Sequence, residues 1–539
     1  MCGVAGMFHQ NGITDDDKRL LLAMSDSIKH RGPDGKGEYF GDKIGLCHRR
    51  LSIIDTSEAG AQPMSYMNRY IGIFNGEIYN YKEIRKELKD RGYNFQSKTD
   101  TEVLLAAYDY YREECCEKMN GMWAFLIYDK KENQLFISRD RFGVKPLFYY
   151  VGKDYILFAS EIKALLCDAR IKRIANEEIV YDFLVDGFID HTDQSFFKGI
   201  HKVPAGSYCV IDIDELKKPD FQKFYSSDFI NVDNDMLIDE ATEKFRKLFV
   251  NSIRVRLRSD VPIGTCLSGG LDSSSIVSTV YRFNSNRGIK QHTFSFCPQD
   301  EKISEKRYID EVIKDTQIQE HYVDDSEFSI TDDYEQFIKA QDEPFMTMSM
   351  FAGYLVYKEA KKNNIKVLLD GQGADEILCG YRKSRVYYLK DLIKHYKYLT
   401  AMKEFVLSIS QIKTTSSIKS DSAKLKKIIF KSKRNDKVGS QYLNKTFTNK
   451  FQSKNFYFDS DFQRVNVNHI SLPQLLRYVD RNSMSVSVES RLPFLDYMLV
   501  DYVAKMPLSL KIHNGYSKYI MRRSLPMPNM IRKRKDKIR

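Results

Sequence analysis

Apolar residues follow two different rhythms along this chain, and the change comes near residue 236. Before it, short runs rich in β-branched and aromatic side chains, Tyr70–Phe74, Ala124–Tyr128, Leu135–Ser138 and Leu147–Val151, are bounded by Asn, Gly or charged clusters and predict strands. Helical spacing over 15–30, 80–92 and 101–112 places helices among them. After it, longer helical patterns at 240–257, 272–283, 304–315 and 349–363 alternate with compact apolar strands at Ile263–Leu267, Thr293–Phe296 and Lys366–Asp370. Strands alternating with helices predict a parallel, doubly wound sheet. The polar, turn-prone stretch 216–235 predicts a linker, which divides the chain into a β-rich domain, 1–215, and an α/β domain, 236–539.

Composition narrows the class. The 539 residues, 42% hydrophobic and 13% aromatic, are enough for more than one packed core and exclude a disordered or fibrous chain. No apolar run approaches the ~18 residues of a membrane span, and no basic-then-apolar leader opens the chain. A cytoplasmic globular protein without a membrane partner is expected. The net charge of +11 is local: residues 401–455 hold 13 Lys/Arg against 3 Asp/Glu, and the run Arg532 to Arg539 holds six basic residues against one acidic. The simplest reading is a solvated basic insertion and a basic tail, with no nucleic-acid partner. Nine cysteines without a C-x-x-C pair argue against structural zinc or a disulfide framework. Eight read as small buried apolar residues; Cys2 is the exception.

Met1-Cys2-Gly3 would become a terminal cysteine once methionine is trimmed. A terminal amine and a thiol in one residue make a nucleophile that carries its own general base. A glutamine-specific thiol amidase also needs an oxyanion hole and partners for the substrate's α-carboxylate and α-ammonium. Asn75 and Gly76 of Asn75-Gly76-Glu77 could supply the first, Arg50 a carboxylate fork and Asp100 an ammonium partner. Each has a plainer alternative: Asn75-Gly76 as a hairpin turn, Arg50 as a surface ion pair, Asp100 as a helix cap. Further along, Ser268-Gly269-Gly270-Leu271-Asp272-Ser273-Ser274 follows an apolar strand and opens a helix, a setting in which backbone N–H groups and hydroxyls meet an anion. Asp272 would repel phosphate there unless it held Mg²⁺. A second strand-loop, Asp370-Gly371-Gln372-Gly373-Ala374-Asp375-Glu376, brings more carboxylates to the end of a strand, with Asp375 the better candidate metal ligand.

The opening MCGVAG together with His30–Asp34, Arg50–Asp55, Asn75–Asn80, Arg139–Leu147 and Ser160–Ala164 resembles the class II glutamine amidotransferases. SGGLDSS, Asp342-Glu343-Pro344 and Arg477–Asp496 extend the likeness, over nearly the whole chain, to the glutamine-hydrolysing asparagine synthetase family. That resemblance implies an N-terminal-nucleophile (Ntn) hydrolase sandwich, αββα, followed by a parallel-sheet α/β synthetase domain of the adenine-nucleotide alpha-hydrolase-like kind. It implies Cys2 as nucleophile, Asn75 and Gly76 as oxyanion hole, and Arg50, Glu77 and Asp100 as glutamine contacts. It implies ATP as co-substrate, with Ser268, Gly269, Gly270, Asp272, Ser273, Ser274, Gly371, Gln372 and Gly373 around its phosphates and Leu267 and Phe296 against adenine. Mg²⁺ falls to Asp272 and Asp375, and Lys537 becomes the lysine that neutralises departing pyrophosphate. Dimers are common in the family, so a homodimer is among the expected partners.

Two departures stand out. Gln372 occupies a place where some members carry a catalytic glutamate, and the chain stops shortly after Lys537 where the family continues. Asparagine synthesis from glutamine, aspartate and ATP is the expected activity. The alternatives are the same chemistry on another carboxylate, such as a uronic acid, and a glutaminase with impaired synthesis. Ammonia is expected to pass between the two centres inside the protein, near the runs Arg139–Leu147 and Arg477–Pro493, because in bulk water it would protonate and cease to be a nucleophile.

Overall fold

The computed structural model describes residues 2–215, 217–285, 288–314, 316–324, 326, 331–409, 442–452, 454 and 461–534. The first part is two six-stranded antiparallel sheets laid face to face. Strand Gly3–His9 lies within one sheet, between Ile44–Arg50 and Tyr155–Ala159. Its alternation sets two packing layers. Val4 and Phe8 point into the space between the sheets, against Ile73, Leu126, Ile137 and Phe158. Ala5 and Met7 point outward to Leu21 and Met24 of the helix Asp15–Ser27 and to Ile28, which caps it. In the other sheet Tyr70–Ile78 pairs with Gly121–Asp129, whose Phe125 packs outward in the cluster holding Leu104 and Tyr108 of the helix Asp100–Tyr111. The layers run helix, sheet, sheet, helix. The single tryptophan, Trp123, is fully buried, and its indole N–H donates to Ser138 Oγ at 3.1 Å.

The second part is built on five parallel strands in the spatial order Gln319–Val323, His292–Phe296, Ile263–Cys266, Val367–Leu369, Glu489–Arg491. The last of these, three residues long, is too short for periodicity to reveal. Among the described residues no helix is long and apolar enough to cross a membrane.

Three simple readings of the sequence need correction. Part of the stretch 216–235 is packed against both parts, although most of its described residues are exposed. Gln222–Lys223 adds a strand to the first part, Phe229 is buried, and Tyr225 and Ser227 donate to Asp501 and Asn468 of the second part, each at 2.7 Å. The basic run near residue 532 is not all solvated: Arg534 is buried, stacks on Tyr308 at 3.9 Å and donates to the Gly269 carbonyl at 2.9 Å, so it props the glycine loop. Cys167 and Cys266 are only half-buried, and all nine cysteines are free. Lys537 and most of 401–455 lie outside the described residues.

Polar contacts tie the two parts together. Arg31, with no exposed surface, donates to both oxygens of Asp480 at 2.9 Å, to Glu161 at 2.7 Å and to the Cys2 carbonyl at 3.1 Å. Burial alone would lower its pKa, but Asp480 and Glu161 outweigh it and hold it above the ordinary value. Removing one partner of such a network leaves buried carboxylates unpaired. Arg31→Met is therefore expected to destabilise the protein by about 3–5 kcal/mol, measured as a lower urea midpoint; an unchanged midpoint would mean that water replaces the guanidinium.

Candidate active site

Cys2 lies just before the first strand, Gly3–His9, and is buried at the junction of the two parts. Its backbone nitrogen donates to Asn75 Oδ1 at 3.0 Å, which turns the other end of that carboxamide inward. Asn75 Nδ2 is buried with no acceptor. An unmade bond of this kind is unfavourable until an oxygen arrives, which suits a developing oxyanion. At Gly76 any side chain is excluded: a Cβ there would lie 2.1 Å from the Met122 carbonyl oxygen. Burial pushes the Cys2 thiol up, while Leu51 N–H and Arg50 pull the other way.

The remaining candidates are placed less simply. Arg50 is buried, but its fork already donates to the carbonyls of Asp55 and of Ser57, the latter at 2.7 Å, and so holds the loop that follows it. Asp100 accepts from Ile78 N–H at 2.9 Å, and burial pushes its carboxyl up to about 6. Glu77 Oε2 has no hydrogen-bond donor and lies 3.4 Å from Arg491 Nη2 of the parallel sheet. Burial and the nearby Glu489 raise the Glu77 carboxyl well above the usual range. Glu489, 2.5 Å from Arg491, goes the other way: burial alone would raise it, but Arg491 outweighs burial and holds it low.

The second centre lies at the carboxyl ends of the parallel strands, where open α/β sheets place their ligands. After Ile263–Cys266 the loop 267–270 leads into the helix Leu271–Ser285. Ser268 N–H donates to Ser273 Oγ at 3.1 Å, which curls the loop, and Ser274 Oγ is buried without a partner. Leu267 and Phe296 stand at the ends of neighbouring strands, with Leu267 N–H on the Phe294 carbonyl at 2.9 Å. The loop after Val367–Leu369 closes against this one: a Cβ on Gly371 would lie 2.9 Å from Asp272 Cβ. Gln372 and Gly373 continue that loop into the short helix Ala374–Ile377, which carries Asp375 and Glu376.

Lys518, which no motif marks, reaches between the two loops. Its ammonium lies 2.6 and 2.7 Å from the Asp272 oxygens and 2.5 Å from Asp375. Burial alone would lower it, but the two carboxylates push it up to about 12. Two carboxylates that converge on one ammonium are close enough to share a small divalent cation. Among the described residues no third carboxylate, histidine or cysteine completes an all-protein metal cage. That fits Mg²⁺, which keeps water and phosphate in its coordination sphere. Beside this cluster the buried Glu376 accepts from the Tyr381 hydroxyl, and burial with the Asp375 charge pushes its carboxyl up to about 7.

A buried thiol beside an unpaired carboxamide N–H, joined to a glycine-serine loop with paired carboxylates, defines a fused amidotransferase and ligase. Comparison with known proteins agrees. A glutamine amidotransferase domain family matches residues 1–225, and the asparagine synthase family matches 244–539. Asparagine synthetase [glutamine-hydrolyzing] 1 of Bacillus subtilis (strain 168) is 32% identical, over 97% of this chain and 84% of its own length. Asparagine synthetase [glutamine-hydrolyzing] 3 of the same organism is 30% identical over the same shares. A Gibberella zeae protein named as an amidase is 28% identical over 95% of this chain and 83% of its own. The chain belongs to the glutamine-hydrolysing asparagine synthetase family, a family of carbon–nitrogen ligases.

Proposed function

We propose that this protein moves the amide nitrogen of glutamine onto a carboxylate activated by ATP, with aspartate as acceptor and asparagine, AMP and diphosphate as products. The observation that carries this reading is how the two centres meet. Glu77, next to the Asn75-Gly76 pair, contacts Arg491, and the Arg491 carbonyl accepts from Asp370 N–H at 2.9 Å at the head of the second loop. Arg491 thus touches both centres, and this proximity supports ammonia transfer between them.

In this reading the Cys2 thiol adds to the glutamine amide carbon. Asn75 Nδ2 and Gly76 N–H take the developing oxyanion, ammonia leaves, and water resolves the thioester to glutamate. Arg50, Glu77 and Asp100 surround the amino-acid end of glutamine. Arg50 would have to release a backbone carbonyl to offer its fork. In the second centre Ser268, Gly269, Gly270, Ser273 and Ser274 hold the ATP phosphates, with Gly371, Gln372 and Gly373 opposite and Leu267 and Phe296 toward adenine. Asp272 and Asp375 would hold Mg²⁺, which when bound offsets phosphate charge. The acceptor carboxylate takes AMP, diphosphate leaves, and ammonia displaces AMP. A proton is lost as the amide forms. Gln372 cannot accept it. Glu376, with its carboxyl near neutrality and fixed by Tyr381, can.

Two measurements test this. With glutamine, ATP and Mg²⁺, aspartate should elicit pyrophosphate and asparagine in equal amounts. Pyrophosphate that appears only with another carboxylate would move the acceptor to that class, such as a uronic acid; Gln372 and the amidase-named relative support keeping that arm. Glu376→Gln should lower ammonia-supported synthesis about 10²–10⁴-fold. In the unaltered enzyme, at constant free ammonia, the rate should rise with pH as the Glu376 carboxyl, raised first by burial, ionises. A pH profile unchanged by Glu376→Gln would assign the proton to another acceptor.

A further inference from the structure

The runs Arg139–Leu147 and Arg477–Pro493, expected to border an ammonia path, do meet across the junction of the two parts. The helix Ser471–Ser485 supplies one wall of a cavity of about 450 Å³ there, and the run from Arg139 supplies another. Its lining is cationic rather than suited to a small neutral molecule. The carboxylates on the wall are mostly spoken for: Asp480 takes the Arg31 fork, and Asp190 is held by Lys202 at 2.6 Å and Arg477 at 2.7 Å. Among the described residues Arg139 and Arg141 form no ion pair. Arg139 donates to the carbonyls of Gly143, Lys145 and Val203, and Arg141 to those of Glu117 and Met119. Arg141 Nε and Arg477 Nη1 are buried without an acceptor. Lys223 from the first part and Arg464 from the second, the latter paired with Asp461 at 2.8 Å, add charge at the same cavity, which Asp193 offsets in part.

Buried guanidinium charge without a counter-charge is unfavourable unless an anion joins it. A phosphate monoester, dianionic with three terminal oxygens, brings more charge to this cationic wall than a carboxylate does. Val144, Pro146 and Leu476 leave apolar wall for the rest of such a molecule. The helix that carries Arg477 also carries Asp480, whose partner Arg31 holds the Cys2 carbonyl at 3.1 Å. We propose that this cavity is an effector site for a phosphate monoester that binds across both parts and sets how much of the ammonia released at Cys2 reaches product. The effect on ammonia rests on the function proposed above; the binding does not.

The test is calorimetric titration of the whole protein, free of nucleotide and metal, with glucose 6-phosphate and with inorganic phosphate. Saturable binding of the ester is expected, with inorganic phosphate weaker. Lys223→Glu should weaken the ester about tenfold, one ordinary charge contact, and Arg464→Gln should weaken it in the same direction. Saturating ester should also change the ratio of glutamate to pyrophosphate formed by the unaltered enzyme and not by Lys223→Glu. Absence of saturable binding, or binding unchanged in both variants, overturns the site; binding without a change in ratio overturns the effector role. Because the isotherm needs no turnover, an error in the proposed reaction would leave it readable.

Discussion

A Cys2→Ala protein is expected to lose glutamine-dependent product by at least ~10³-fold, while ammonium chloride still supports ATP-dependent synthesis. The split follows from the layout. On the proposed mechanism, removing the thiol removes covalent attack at one centre and leaves the loops around Asp272 and Asp375 at the other in place. The same geometry explains why the thiol needs help. Burial raises it, so it is not ionised in advance. On the proposed mechanism the proton must go to a base as the bond forms, and the α-amine freed by removal of Met1 would be the base within the same residue. An intact-mass measurement on active protein should therefore show the chain without Met1. Glutamine-dependent product from Cys2→Ala above the level that free ammonia explains would remove Cys2 from the mechanism.

Legibility differed between the two centres for a physical reason. Cys2, Asn75-Gly76 and the serine-glycine loop are local: each needs its neighbours in sequence to form a turn or a strand end, and those neighbours can be read. The strand Tyr70–Ile78 ran further than its apolar core suggested because Asn75, Gly76 and Glu77 stay in the ladder, with every residue of the strand buried. Its polar residues could have made a hairpin turn, yet they lie in the paired strand. Gly3–His9 escaped notice as a strand because its glycines carry no apolar signal. What could not be read were pairings across the whole chain. Arg31 stood in a noted motif without a role, since Asp480 and Glu161 come from distant segments. Arg491 and Glu77 meet only when the two parts dock. Lys518 is 246 positions from Asp272 and lies just after a two-residue hairpin strand, where nothing in the local pattern distinguishes it from a surface lysine. Charge also misled: Arg534 counted as tail until its place under Gly269 was visible.

Lys518→Met carries the second large effect. Its ammonium joins Asp272 and Asp375, and those carboxylates push it up to about 12 against the effect of burial. Two roles are open to a cation in that position. It can hold the loops together before substrate arrives, and it can neutralise phosphate charge once a divalent ion takes over the carboxylates. The first alone would be a structural ion pair; the second makes it part of the reaction. Loss of one fixed charge at a phosphate transition state is expected to lower pyrophosphate release about 10²–10³-fold, with glutamine hydrolysis at Cys2 kept as an internal check on folding. The Mg²⁺ titration separates the roles. Lys518 competes with a metal for the same two carboxylates, so its removal should lower the Mg²⁺ concentration needed for half-maximal rate even as the maximal rate falls. Pyrophosphate release at the original rate, with an unchanged Mg²⁺ requirement, would leave Lys518 as a bridge between two loops and no more.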